Sequence, residues 1–245
     1  MSSSSLPINT VILGDCVEVM RGCPDGCVNL IITSPPYALN LEYERGLTTE
    51  RLGILMVATL SEARRLLKGD GRIILIFADR ILECDPMQPR YYEWIKEAGL
   101  KFECGRVWVK PFSRLNFNHQ LYKAGLPFRE WETVWCLNKA TPRGVANKRL
   151  AVRGVLSTVY SGGSGVDKVN HPAAYPESLI EQILDIYAFP NDIVLDPFLG
   201  SGTTAVVCKR RGIRWFGIEI NKEYCDLANV RLSHTNIGGG LDGFI

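Results

Sequence analysis

The stretch IVLDPFLGSGTTA, residues 193–205, holds the signals from which the fold is read. The preceding residue completes DIVLD (192–196), short, apolar and β-branched, the composition of a buried strand ending in the carboxylate of Asp196. Gly200 and Gly202 follow, free to take positive φ and to let backbone approach a ligand closely. TTAVVCKRRG then reads as a helix, and RWFGIEI (214–220) as the next strand. That strand carries Glu219 near its end, 23 residues after Asp196. A strand, a Gly-rich turn, a helix and a second strand-end carboxylate make a place for a nucleoside, whose ribose hydroxyls the carboxylate accepts. The turn is G-x-G and not G-x-G-x-x-G, so a dinucleotide is not required. The structural alternative is a tight turn with a capping glutamate.

Outward from this unit, strands and helices alternate. TVILGD (10–15), VNLIIT (28–33) and RIILIFA (72–78) read as buried strands. Residues 50–68 place apolar side chains at 52, 55, 56, 60, 63, 66 and 67, one face of a helix that KGDG is expected to end. YYEWIKEAG reads as a short helix closed by Gly99, with strands near 102–110 and 131–138. YPESLIEQILDIYA and KEYCDLANVRLS are the last two helical patterns outside the 193–205 unit. Between Ala140 and Tyr175 no period persists, and SGGSG (161–165) reads as a loop. The expected fold is α/β, a mostly parallel sheet with helices on both faces.

A second stretch, NLIITSPPYALNLEY (29–43), ends a strand in a hydroxyl, two prolines and a tyrosine. Consecutive prolines fix φ and donate no amide, leaving a stiff rim that presents Ser34, the Ser34 and Pro35 carbonyls and the Tyr37 ring. Taken alone, it reads equally as a rigid strand exit.

The 245 residues suit one large domain or a domain with an insertion. No 18-residue apolar run is present, so no membrane span is expected. MSSSSLPINT lacks the basic start and apolar core of a signal peptide and is expected to be a short disordered leader. Eight scattered cysteines, without C-x-x-C or His/Cys metal spacing, point to reduced thiols, a cytoplasmic location and no metal. The net charge of +2 conceals an asymmetry. From Lys110 to Lys168 ten basic residues face three acidic ones, a balance of +7 that leaves −5 elsewhere. Phe112, Phe117, Tyr122, Phe128, Trp131 and Trp135 interleave with them, a composition suited to a polyanion with bases to stack on, or to a solvated basic face.

Taken together, these stretches resemble the S-adenosylmethionine-dependent DNA amino-methyltransferases. DPFLGSGTT resembles their cofactor loop and TSPPY their [DNS]-P-P-[YFW] catalytic motif; ILGDC, WVKP and HPAAYPESLIEQIL resemble further motifs. The catalytic motif precedes the cofactor loop, an order similar to the β group, whose intervening segment reads the target. The resemblance implies a Rossmann-like methyltransferase fold with a catalytic half (1–110), a target-recognition insertion (111–170) and a cofactor-binding half (171–245). It implies catalysis by Ser34, Pro35, Pro36 and Tyr37. The cofactor would be held by Asp15 and Cys16, by His171 and Pro172, by the loop Asp196, Pro197, Phe198, Gly200, Ser201, Gly202 and Thr203, and by Glu219 and Ile220. Lys110, Arg114, Arg129, Arg143, Lys148, Arg149 and Arg153 would meet double-stranded DNA.

The expected reaction is methylation of the exocyclic N4 amine of cytosine after base flipping. Ser34 in place of the aspartate common in adenine-N6 members, and HPAAYPE without a lysine, favour that base. Adenine N6 stays open, as does a catalytically inactive DNA-binding relic. Carbon-5 methylation, which in its family uses a Pro-Cys nucleophile, is not expected, since the chain has Cys23-Pro24 and no Pro-Cys. A cognate restriction endonuclease and a homodimer are the candidate protein partners.

Overall fold

A computed structural model describes residues 6–36, 46–78, 87–110, 131–158 and 175–238. Among the described residues eight strands form one sheet: β1 (Thr10–Leu13), β2 (Val28–Thr33), β3 (Leu67–Phe77), β4 (Lys101–Val109), β5 (Trp131–Asn138), β6 (Val155–Ser157), β7 (Ile193–Asp196) and β8 (Arg214–Glu219). The helices are α1 (Cys16–Arg21), α2 (Thr49–Leu66), α3 (Met87–Glu97), α4 (Lys148–Ala151), α5 (Glu177–Tyr187), α6 (Thr203–Arg210) and α7 (Lys222–Ser233).

The strand order is β1-β8-β7-β2-β3-β5-β4-β6. The first five run parallel; β5 lies antiparallel between β3 and β4, and β6 runs parallel beside β4 at the edge. Each of these strands except β5 therefore ends on the same edge of the sheet. Thr33, Asp196 and Glu219 stand there.

Strand periodicity sorts the apolar residues into two cores. Ile31 faces one with α1, α2 and α3; Leu30 and Ile32 face the other with α5, α6 and α7. Both faces of the sheet are covered, which is why β2 is buried along its whole length.

The structure departs from the sequence reading in local places. Residues of KGDG do not end α2: that helix stops at Leu66, and β3 starts at Leu67 with a register shift opposite Val28 and Leu30. Gly71 permits the irregularity, because a Cβ there would lie 2.6 Å from the Asn29 carbonyl oxygen. Helix α3 begins at Met87, ahead of the expected start at Tyr91. Three short elements, α1, α4 and β6, had no counterpart in the reading, the last two within the span where no period was found.

Candidate active site

Strands β2 and β7 are neighbours, with Ile31 opposite Leu195, so the ends of the two motifs meet. The Thr33 hydroxyl donates to Asp196 Oδ1 at 3.0 Å, and the Phe198 amide donates to the same oxygen at 3.1 Å. The Thr204 hydroxyl donates to Oδ2 at 2.7 Å. The Tyr175 hydroxyl lies 3.0 Å from Oδ2 and 2.7 Å from Thr204 Oγ1. Asp196 is only 1% exposed, and burial pushes its carboxyl up to about 6 against the pull of these donors. The side chain expected to line a ligand pocket is instead the buried hub tying the Ser-Pro-Pro rim to the Gly-rich loop. Thr33, Tyr175 and Thr204 were absent from the expected site residues, although each lies inside a quoted motif, Thr33 in TSPPY, Tyr175 in HPAAYPE and Thr204 in DPFLGSGTT.

The Gly-rich loop reverses direction on left-handed backbone, φ 55° at Gly200 and 85° at Gly202. A Cβ on Gly202 would lie 2.8 Å from the Ala228 Cβ, so only glycine lets α7 pack against the start of α6. From α7, the buried Arg231 donates to the Ser201 carbonyl at 2.7 Å and to Thr203 Oγ1 at 3.2 Å, and pairs with Glu177 at 2.9 Å. Ser201 and Thr203, expected to hold cofactor, are buried with their side chains turned to this arginine. Arg231 was not anticipated. What the loop offers a ligand is its backbone.

Glu219 is held in place by two amides, Gly200 to Oε2 and Asn221 to Oε1, each at 2.8 Å. Each oxygen keeps a further lone-pair direction for a hydroxyl donor. Beside it, Leu13 (its register partner) and Ile220 are 53% and 72% exposed, and Phe198 is half-buried. Large apolar side chains left open around a carboxylate suit a flat apolar ring with a sugar attached. Pro197 is buried. Asp15 caps α1, its Oδ1 taking the Val17 and Glu18 amides at 2.9 and 3.0 Å. Cys16 faces the core, its Sγ 3.5 Å from Thr59 Oγ1, with burial pushing the thiol up to about 11.

Ser34 and Pro36 are half-buried and Pro35 is buried, immediately after Thr33. Tyr37, His171, Pro172, Arg114 and Arg129 lie outside the described residues.

The remaining basic residues do not converge on this edge. Lys110 does stand there, 2.5 Å from Glu132 and over the Trp108 ring. Arg143 is at the opposite edge: its amide donates to the Asp70 carbonyl, its guanidinium grips the buried Asp192 just before β7, and it covers the Phe189 ring. Lys148, Arg149 and Arg153 are exposed on and after α4, beside the outermost strand β6. That strand is four strand spacings, roughly 19 Å, from β2. Among the described residues no His/Cys/Asp/Glu group could hold a metal ion, and no helix is long and apolar enough to cross a membrane.

Comparison with known proteins gives this edge its context. A family model described as DNA methylase (N6_N4_Mtase) matches residues 28–230. The type II methyltransferase M.BglII of Bacillus subtilis is 29% identical over 263 residues, covering 94% of this chain and 71% of its own. M.Cfr9I of Citrobacter freundii is 29% identical over 287 residues, covering 96% and 92%. Among solved structures, the PvuII DNA methyltransferase (cytosine-N4-specific) superposes with a TM-score of 0.78 at 23% identity, over 93% of this chain and 87% of that one. The M1.HpyAVI–SAM complex gives 0.71 at 24% identity, over 91% and 98%.

Proposed function

The chain belongs to the DNA methylase family matched over residues 28–230, and on that premise we propose that it transfers a methyl group from S-adenosylmethionine to the N4 amine of cytosine in double-stranded DNA. The single observation that carries this reading is the Thr33–Asp196 hydrogen bond of 3.0 Å, which joins a Ser-Pro-Pro rim to a Gly-rich loop at one sheet edge. A methyl acceptor and a methyl donor must meet at one point, and here their two motifs share a buried carboxylate.

The residues fit the cofactor. Glu219 offers two amide-anchored oxygens to ribose hydroxyls, Leu13 and Ile220 offer apolar surface to the adenine, and the loop at Gly200–Gly202 offers backbone at close range. When bound, S-adenosylmethionine supplies an electrophilic methyl on a sulfonium.

The chain's own part is to prepare the amine. Its lone pair is delocalised into the base ring, so the nitrogen needs oxygen acceptors that draw its hydrogens toward tetrahedral geometry. Ser34 Oγ and the Pro35 carbonyl are such acceptors, held stiff by Pro35-Pro36. No covalent intermediate with the chain is required. The base must leave the duplex to reach them, and Tyr37 is the residue we assign to stack on it. Ser34, a neutral hydroxyl where adenine-N6 members commonly resemble one another in carrying aspartate, supports cytosine as the target.

Ser34→Ala removes one acceptor and leaves the rim backbone intact. Single-turnover transfer is expected to slow on the order of 10²- to 10³-fold, with calorimetric cofactor affinity unchanged. Wild-type rates in that variant would make the motif a strand exit. Wild-type protein that binds DNA but no cofactor would be a relic.

A further inference from the structure

Two thiols face each other across the antiparallel pair β4–β5, away from the transfer site. Cys104 and Cys136 are register partners, next to the irregularity after Phe102. The Cα atoms of such partners lie about 4.5–5.5 Å apart, inside the span of about 4.4–6.8 Å that a disulfide bridges. Both side chains belong to the same core, Cys136 1% exposed and Cys104 half-buried against it, so both point to one face of the sheet. Arg106 Nη1 donates to Cys104 Sγ at 3.1 Å, and the Tyr187 hydroxyl is 3.8 Å from that sulfur. Arg106 also donates to the Tyr187 hydroxyl and sits 5.3 Å from the centre of its ring. Nothing in methyl transfer uses these groups.

We propose that Cys104 and Cys136 are a reversible disulfide site, oxidised by a peroxide-class oxidant. The Cys104 thiolate attacks one peroxide oxygen; the O–O bond breaks and the departing hydroxide takes a proton to become water. The resulting sulfenic acid is attacked by Cys136, whose proton goes to the second departing hydroxide as the S–S bond forms. Two thiols and one hydrogen peroxide thus give one disulfide and two waters, the two sulfurs supplying both electrons.

The surroundings divide the roles. The neighbouring Cys136 thiol and the Arg106 guanidinium, which donates to Cys104 Sγ at 3.1 Å, hold the Cys104 thiol below its ordinary value despite partial burial. The neighbouring Cys104 sulfur, burial and the nearby Glu103 carboxylate, which accepts from Cys136 Sγ at 3.5 Å, push Cys136 up. Glu103 is itself paired with Arg72 at 2.9 Å, and Arg72 lies over the Tyr187 ring, so Arg106 is the cation directly on Cys104. Cys104 is therefore the attacking sulfur and Cys136 the resolving one.

The test is to treat the purified full chain with hydrogen peroxide and map its peptides without reduction. The expected product has lost two hydrogens, links the Cys104 and Cys136 peptides, and reverts with dithiothreitol. Cys136→Ser should instead accumulate a dimedone adduct on Cys104, and Cys104→Ser should form no bridge. The rate of iodoacetamide labelling at Cys104 in the untreated wild type should rise at lower pH than in the denatured chain. A bridge found only elsewhere, such as Cys23–Cys27, would overturn the proposal. So would the absence of a Cys104 adduct in Cys136→Ser, or a Cys104 that titrates with or above the denatured thiol.

Discussion

Asp196 is the residue on which both halves of the site converge, and its environment gives it a measurable pH signature. Its carboxyl is pushed up from 3.8 to about 6 by burial, so the folded chain binds a proton there more tightly than the unfolded chain does. Its contribution to stability is full below the unfolded value and is lost as pH rises through the folded one. Asp196→Asn removes this titration. The stability of the wild type relative to Asp196→Asn is therefore expected to fall by roughly 1–3 kcal/mol between about pH 4 and pH 6.5. Urea unfolding of both proteins across that range measures it, and a difference flat in pH would mean that Asp196 is not desolvated. Using the difference cancels carboxylates of opposite sign, such as Glu103, which Arg72 holds below its usual range despite burial. The Ser-Pro-Pro rim and the Gly-rich loop stand out in the sequence because each is a contiguous motif. Their junction does not, because Thr33 and Asp196 lie 163 residues apart and the motifs that contain Tyr175 and Thr204 do not say that these side chains meet Asp196.

Among the elements, β7, β8, α5, α6 and α7 follow the sequence reading closely, since each holds a full run of buried apolar residues or a whole amphipathic period. α1, α4 and β6 span only six, four and three residues, too short for a period to show. They exist through tertiary and capping contacts: Asp15 caps α1, Asn147 caps α4, and Arg106 donates to the Ala151 and Arg153 carbonyls around α4. The α6–α7 junction yields a prediction at this scale. Gly202→Ala forces a Cβ into Ala228 at a residue already at φ 85°. It is expected to cost about 1–3 kcal/mol of stability and to weaken cofactor binding, because the loop must shift away from Glu219. Thermal unfolding and calorimetry report the two losses, and an unchanged affinity beside a lowered Tm would separate the loop from the cofactor.

For the whole molecule, the sheet brings the candidate site together: among the described residues every strand but β5 ends on the edge where Ser34, the loop and Glu219 stand. The +7 stretch was legible as composition but not as placement. Arg143 holds Asp192 at the opposite edge, and Lys148, Arg149 and Arg153 lie along the β6 flank. The basic stretch as a whole is still expected to meet phosphates, so DNA affinity should fall with salt at a log–log slope near −0.9 per neutralised phosphate. Fluorescence anisotropy across a salt series checks this, and a slope of zero would remove the electrostatic component. The most direct measurement of the central claim is chemical. A DNA panel is incubated with the chain and methyl-labelled S-adenosylmethionine, digested to nucleosides, and resolved by mass spectrometry. Label is expected in N4-methylcytosine, abolished or strongly reduced by Ser34→Ala; label in N6-methyladenine alone, or in no nucleoside while cofactor and DNA both bind, would contradict cytosine-N4 transfer.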